Sequence, residues 1–122
     1  METVLTGIVP VLPSENIDRD TRWYRDKAGF ETVWKDNGYA ILRREKIYIH
    51  LQWHADTEED PLLGGSVIRI FVNNIIPVFD EFVKRGTVKK DRLILDTAWN
   101  TNEFGFYDLN RNAVFIVESR RK

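Results

Sequence analysis

The sequence predicts an α+β fold in which one unit, a strand, a helix and three strands, is used twice. Three observations predict it. Short runs of period-two alternation are bounded by Gly, Pro and Asn-Gly turn signals. Two stretches carry helical periodicity, each with a polar residue before it and a glycine after it. The same order then returns about 60 residues on, a spacing that points to duplication. Each unit alone is too small to bury a good core, so the two must share one.

In chain order, TGIVPVLP (6–13) reads as a strand. Pro10 lacks a backbone donor, which suits an edge or exchanged strand. DRDTRWYRDKAGF (18–30) reads as a helix, with Asp18 as its N-cap and Gly29 as its stop. FETVWKD, GYAILRR and KIYIHLQW follow as three strands, and Asn37-Gly38 is the strongest hairpin signal in the chain. HADTEEDPLLGG (54–65) is a linker of about a dozen residues, long for an ordinary loop. It divides a single domain, 1–122, into a first module of about residues 1–55 and a second of about 66–122. In the second, SVIRIFVNN is a strand and IIPVFDEFVKRG a helix, with Asn74 as cap, Pro77 in the first turn and Gly86 as stop. DRLILDT, NEFGFYD and NAVFIVE complete it as strands. Trp23, Tyr24 and Phe30, and then Val78, Phe79, Phe82 and Val83, give the helices apolar faces toward one side of the sheets. The other sheet faces are free to curl into a cleft.

Composition narrows the function classes. There is no cysteine, which excludes thiol catalysis, thiolate metal sites and disulfide frameworks. Lys plus Arg is 18 and Asp plus Glu 19, a net of −1. No overall field draws nucleic acid or an anionic membrane, and neither is expected as a partner. The basic end SRRK (119–122) reads as a solvated tail. No apolar run approaches the ~18 residues of a membrane span, and no leader pattern opens the chain, so a cytoplasmic location is expected. Four Trp, four Tyr and seven Phe are more aromatic area than a small core needs, which raises a stacking surface as a second use.

Both histidines lie in KIYIHLQWH (46–54), where Tyr48, His50, Gln52 and His54 alternate with Ile47, Ile49, Leu51 and Trp53. The first set faces a cleft or solvent; the second, Trp53 included, is expected in the core. Arg69 shares a face with Val67 and Phe71 and needs a partner, either an acid inside the cleft or one across a subunit boundary. DTEED (56–60) reads as a solvated loop, and no nucleophile–base pair is visible.

The order and spacing of these residues resemble a known family. LTGIVPVLPSENIDRDTRWYRDKAGF resembles the opening of bleomycin-resistance proteins, VNNIIPVFDEFVKRG their second helix, and WNTNEFGFYDLNRNAVFIVE their final hairpin. There the usual form is Trp-Gly-x-Arg-Glu-Phe, three residues, then Asp-Pro-x-Gly-Asn. This chain has Asn102 for the Arg, and it lacks the Pro and Gly of the turn, whose left-handed position its asparagines can take. The family lies within the glyoxalase and vicinal-oxygen-chelate superfamily. The resemblance implies two tandem βαβββ modules forming a cupped mixed sheet, in a homodimer that exchanges its N-terminal strands.

It also implies a site. Metal-using relatives take a His or Glu ligand from each of four strands. Those places here hold Val9, His50, Val67 and Phe115, and His50 alone can bind a metal. Glu118 is on the opposite strand face, and His54 is about 13 Å from His50 along the strand, too far to chelate with it. No metal, cofactor or catalytic residue is therefore expected. The implied function is non-catalytic binding and sequestration of a bleomycin-type glycopeptide antibiotic in an aromatic cleft at the dimer interface. The ligand-binding residues are then Trp34, Asp36, Tyr39, His50, Gln52 and Trp99. Asp36, and the 56–60 run if it folds over the cleft, would meet the drug's cationic end. Two alternatives stay open: a metal-dependent enzyme of the superfamily, and a binding domain for another planar metabolite. A net of −1 attracts a cation only weakly, which keeps the latter in play.

Overall fold

A computed structural model describes residues 1–62 and 65–120. Leu63 and Gly64 of the expected linker, and Arg121 and Lys122 of the basic tail, lie outside the described residues. The elements are β1 (Val11–Ser14), α1 (Ile17–Ala28), β2 (Glu31–Lys35), β3 (Tyr39–Arg44), β4 (Ile47–Trp53), β5 (Val67–Val72), α2 (Ile75–Lys84), a 3₁₀ turn (Lys90–Arg92), β6 (Thr101–Tyr107) and β7 (Ala113–Ser119). They form two mixed sheets, in the orders β1-β4-β3-β2 and β5-β7-β6. β1 runs parallel to β4 and β5 parallel to β7; the other pairings are antiparallel. The α+β expectation holds. Among the described residues no helix is long and apolar enough to cross a membrane.

Two expected strands come out shorter. The first begins at Val11 instead of Thr6; of residues 1–10, only Pro10 joins the sheet, its carbonyl accepting from the His50 amide. Val4, Leu5 and Ile8 are 75, 93 and 100% exposed, so nothing among the described residues covers those side chains. The stretch 91–97 opens with the 3₁₀ turn and then makes one bridge, Ile94 to Glu103. Ile94 and Leu95 have no buried face to hold them to a sheet, and Asp96 turns left-handed (φ 57°), which ends any extension.

Helix ends follow local chemistry. Asn16, not Asp18, caps α1: its Oδ1 accepts from the Arg19 amide at 2.9 Å. Asp18 sits in the first turn, where a carboxylate suits the helix dipole, and it pairs with Lys35, which lowers its pKa. Gly29 stops the helix at φ 72°. Asn74 stands at the N-cap of α2 without a side-chain bond; Glu118 of β7 accepts from the Ile75 amide instead, at 2.8 Å.

One core serves both halves, as their sizes require. Leu12, Ala40, Leu42, Ile49 and Leu51 from the first sheet join Phe104, Phe106, Val114 and Ile116 from the second in a single buried cluster. Ring contacts run through it from Phe30 to Tyr24, Trp23, Phe106, Phe82, Phe104 and Phe79, with centroids 5.1–6.2 Å apart. Much of the aromatic content is therefore core.

A buried polar clasp joins the β6–β7 turn to the start of the chain. Asp108 accepts from Tyr24 Oη at 2.7 Å, Asn112 Nδ2 at 2.8 Å and the amides of Asn110 and Asn112. Asn110 Nδ2 donates to Asp20, which also accepts from Ser14 and Arg19. Burial and the adjoining Asp108 charge push the Tyr24 phenol well up. The left-handed position in this turn falls on Arg111 (φ 64°), not on an asparagine: both asparagines spend their side chains on the clasp.

Candidate functional site

Strand alternation builds the outward face of the first sheet. Ala40, Leu42, Ile49, Leu51 and Leu12 point into the core, each at most 2% exposed. Their neighbours must point away. The pairing puts Trp34, Ile41, His50 and Val11 in one row across the strands, with Tyr39, Gln52 and Pro13 in the next. Tyr39 Oη lies 2.7 Å from His50 Nδ1, and the two rings meet edge to face at 5.3 Å. This bond fixes both rings and leaves His50 Nε2 without a partner among the described residues. Trp34 is half exposed, and Gln52 is exposed.

Asp36 and Asp60 have other duties. Neither Asn37 nor Gly38 takes a left-handed conformation. The hairpin turn is held by Asp36 Oδ1, which accepts from the amides of Gly38 and Tyr39 at 2.8 and 2.9 Å. Asp60 closes a local turn, bonding His54 Nδ1 at 2.7 Å and the Ala55 amide at 2.9 Å; the histidine contact, then the amide, lowers its pKa. Trp53, expected in the core, is 42% exposed at the end of β4, and its Nε1 donates to the Glu15 carbonyl.

The second sheet presents Val67, Arg69 and Phe71 on its outward face. Arg69, Phe115 and Gly105 form one row across β5, β7 and β6. A Cβ at Gly105 would lie 2.7 Å from the Phe115 ring, so the ring rests across the bare backbone there. Arg69 Cζ stands 5.7 Å from the centre of that ring. Its NH2 meets Glu103 Oε2 at 2.9 Å, and its NH1 meets Oε1 at 3.4 Å. The partner of Arg69 is thus an acid of its own chain. Glu103 Oε2 also accepts from Thr101 Oγ1 at 2.6 Å and from the Trp99 indole at 3.1 Å. Arg69 above all, helped by these donors, outweighs burial and lowers the Glu103 pKa to about 2.

A groove of roughly 940 Å³ runs between the sheets and the N-terminal arm. Ile41, Tyr48, His50, Arg69 and Phe71 line it. Trp34, Tyr39, His50 and Gln52 therefore share one sheet face, and Trp99 stands over the other sheet, against Glu103. Sequence reasoning missed Glu103. Its signal was present in the alternation of Trp99, Thr101 and Glu103, but the pairing with Arg69 depends on register across three strands.

The four positions that the resemblance matched to metal ligands do not offer a ligand set. Val9, Val67 and Phe115 have no donor atoms, and one nitrogen of His50 is taken by Tyr39. Among the described residues no three His, Asp or Glu side chains gather as a ligand set.

No protein-family model matches the chain. It is 24% identical over 124 residues to a bleomycin resistance protein of Geobacillus stearothermophilus, covering 90% of this chain and 94% of that one. Among solved structures, it superposes on a bleomycin-binding protein in complex with bleomycin with a TM-score of 0.78, at 18% identity, over 94% and 99% of the two chains. It superposes on a glyoxalase/bleomycin resistance protein/dioxygenase from Nocardioides with a TM-score of 0.76, at 14% identity, over 99% and 87%. The resemblance read from the residues is borne out: the chain has the glyoxalase/bleomycin-resistance fold, and its curated relatives are bleomycin resistance proteins.

Proposed function

We propose that this chain binds a bleomycin-type glycopeptide and sequesters it without bond chemistry, in clefts formed between two copies. Residues 1–122 act as one domain, with modules of about 1–55 and 66–122, in the cytoplasm that holds the DNA to be protected. The reading is carried by aromatic side chains on the outward sheet faces, Trp34, Tyr39 and Tyr48 on one and Phe115 on the other with Trp99 beside it, in a chain whose relatives bear that name. Flat rings of a ligand stack on such faces, and His50 and Gln52 supply hydrogen bonds. The two tryptophans stand over different sheets, which supports a cleft that draws Trp34 and Tyr39 from one copy and Trp99 from the other. The uncovered N-terminal arm supports strand exchange, because apolar side chains so exposed call for a partner. A metal-assisted reaction would find no cluster of three His, Asp or Glu side chains among the described residues.

Sequestration works by mass action, so the dissociation constant should be at or below ~1 μM, about −8 kcal/mol. Titration of tryptophan fluorescence with bleomycin should show saturable quenching in that range. Trp34→Ala and Trp99→Ala should each weaken binding about ten-fold or more, in line with the loss of a stacked ring. A folded protein whose emission does not respond to tens of micromolar drug would count against the reading.

A further inference from the structure

Two cationic side chains, Lys46 and Arg69, line the groove, and among the described residues the carboxylates on the strands that face it are already paired. Glu103 is held by Arg69, Thr101 and Trp99. Glu31 pairs with Arg43, and Asp36 is spent on its own hairpin turn. Glu118 faces the other way and caps α2. The groove does offer donors. Arg69 uses two of its nitrogens on Glu103 and has further N–H groups, on a side chain that is 37% exposed. His50 Nε2 stands in the same groove.

We propose that Arg69, lying over Phe115 and steadied by Glu103, is the specificity-determining residue of the groove, receiving an aromatic ring that carries a carbonyl acceptor, carboxylate or carboxamide, while a cationic end stays outside. The physical reasons are three. A guanidinium on a ring extends the flat surface on which a second ring stacks. Its fork donates to carbonyl and carboxylate oxygens in the plane of that surface. A like charge brought beside it is repelled, and the carboxylates on the strands facing the groove are already paired with arginines. Gly105 makes the arrangement possible, since a Cβ there would lie 2.7 Å from the Phe115 ring. The inference rests on the sequestration reading for its site but not for its ligand.

The test is calorimetric titration of the full chain with three probes: a bithiazole carboxylate, its neutral methylamide, and its amide with a guanidinobutyl tail. The carboxylate and the neutral amide should bind at least as tightly as the cationic amide. Arg69→Met should weaken the carboxylate ten-fold or more. Arg69→Lys keeps the charge and loses the planar fork, and should weaken it at least three-fold; this variant gives the readout if the methionine variant does not fold. A cationic amide bound ten-fold more tightly than the carboxylate overturns the proposal. So does an affinity for the carboxylate that neither substitution changes, or no binding of any probe to the wild-type chain. If the bithiazole carboxylate binds through Arg69 and whole bleomycin does not bind, the sequestration reading falls and the Arg69 assignment stands. If whole bleomycin binds and no probe depends on Arg69, the reverse holds.

Discussion

Glu103 receives three donors of different kinds, a guanidinium, a hydroxyl and an indole N–H. All three favour its charged form, and its pKa falls from an ordinary 4.5 to about 2. A carboxyl group more acidic when folded than when unfolded stabilises the fold wherever the unfolded chain would also ionise it. That contribution is complete above pH 4.5 and is lost as pH falls toward 2. Glu103→Gln should therefore be less stable than wild type at neutral pH, and the gap should close through that window. Urea unfolding of both proteins along a pH series measures it. A gap that stays constant down to about pH 2 would contradict the assigned pairing. Asp36, read as an acceptor for a ligand cation, also holds a turn through its Oδ1.

At the scale of elements, what could be read in the sequence depended on how local its cause was. Both helices were legible because periodicity, a polar cap and a stopping glycine sit within a dozen residues of one another. The strands β2 to β4 were legible from alternation and the Asn37-Gly38 signal. The 91–97 strand was not, because β-structure needs a partner and only Ile94 finds one. Trp53 likewise kept the period of Ile49 and Leu51 yet fell beyond the edge of the core they form. The clasp between β1, α1 and the β6–β7 turn was invisible for the same reason: the bonds that tie the turn to the start of the chain span 84 to 99 residues. It predicts an effect. Tyr24→Phe removes a hydrogen bond to a buried carboxylate and should cost about 1.5–3 kcal/mol, the range for bonds to charged groups. Denaturant unfolding would show it; a loss under about 0.5 kcal/mol, the scale of a neutral surface change, would mean the clasp contributes little.

The whole molecule shows apolar surface that a single chain leaves open. The arm before β1 carries Val4, Leu5 and Ile8 into solvent, and Val67 and Phe71 on the second sheet are 60 and 62% exposed. Removing residues 1–9 should turn a dimer into a monomer by light scattering after size exclusion, without unfolding the core; a shortened chain that still elutes as a dimer would rule out exchange of this arm as the source of association. The candidate site shows the same division as the elements. Trp34 and Tyr39 came from the resemblance, and a register shift between Thr32 and Trp34 is what turns Trp34 to the face that carries His50. His50 and Gln52 could be grouped by reading one strand, whose alternation sets their facing. Arg69, Phe115, Gly105 and Glu103 could not, because register between β5, β7 and β6 assembles them. Native mass spectrometry of the chain incubated with bleomycin tests the central claim most directly, since it weighs assembly, occupancy and drug together. The account predicts two chains carrying two chemically intact drug molecules; a chain that never retains drug, or a drug released with an altered mass, would contradict it.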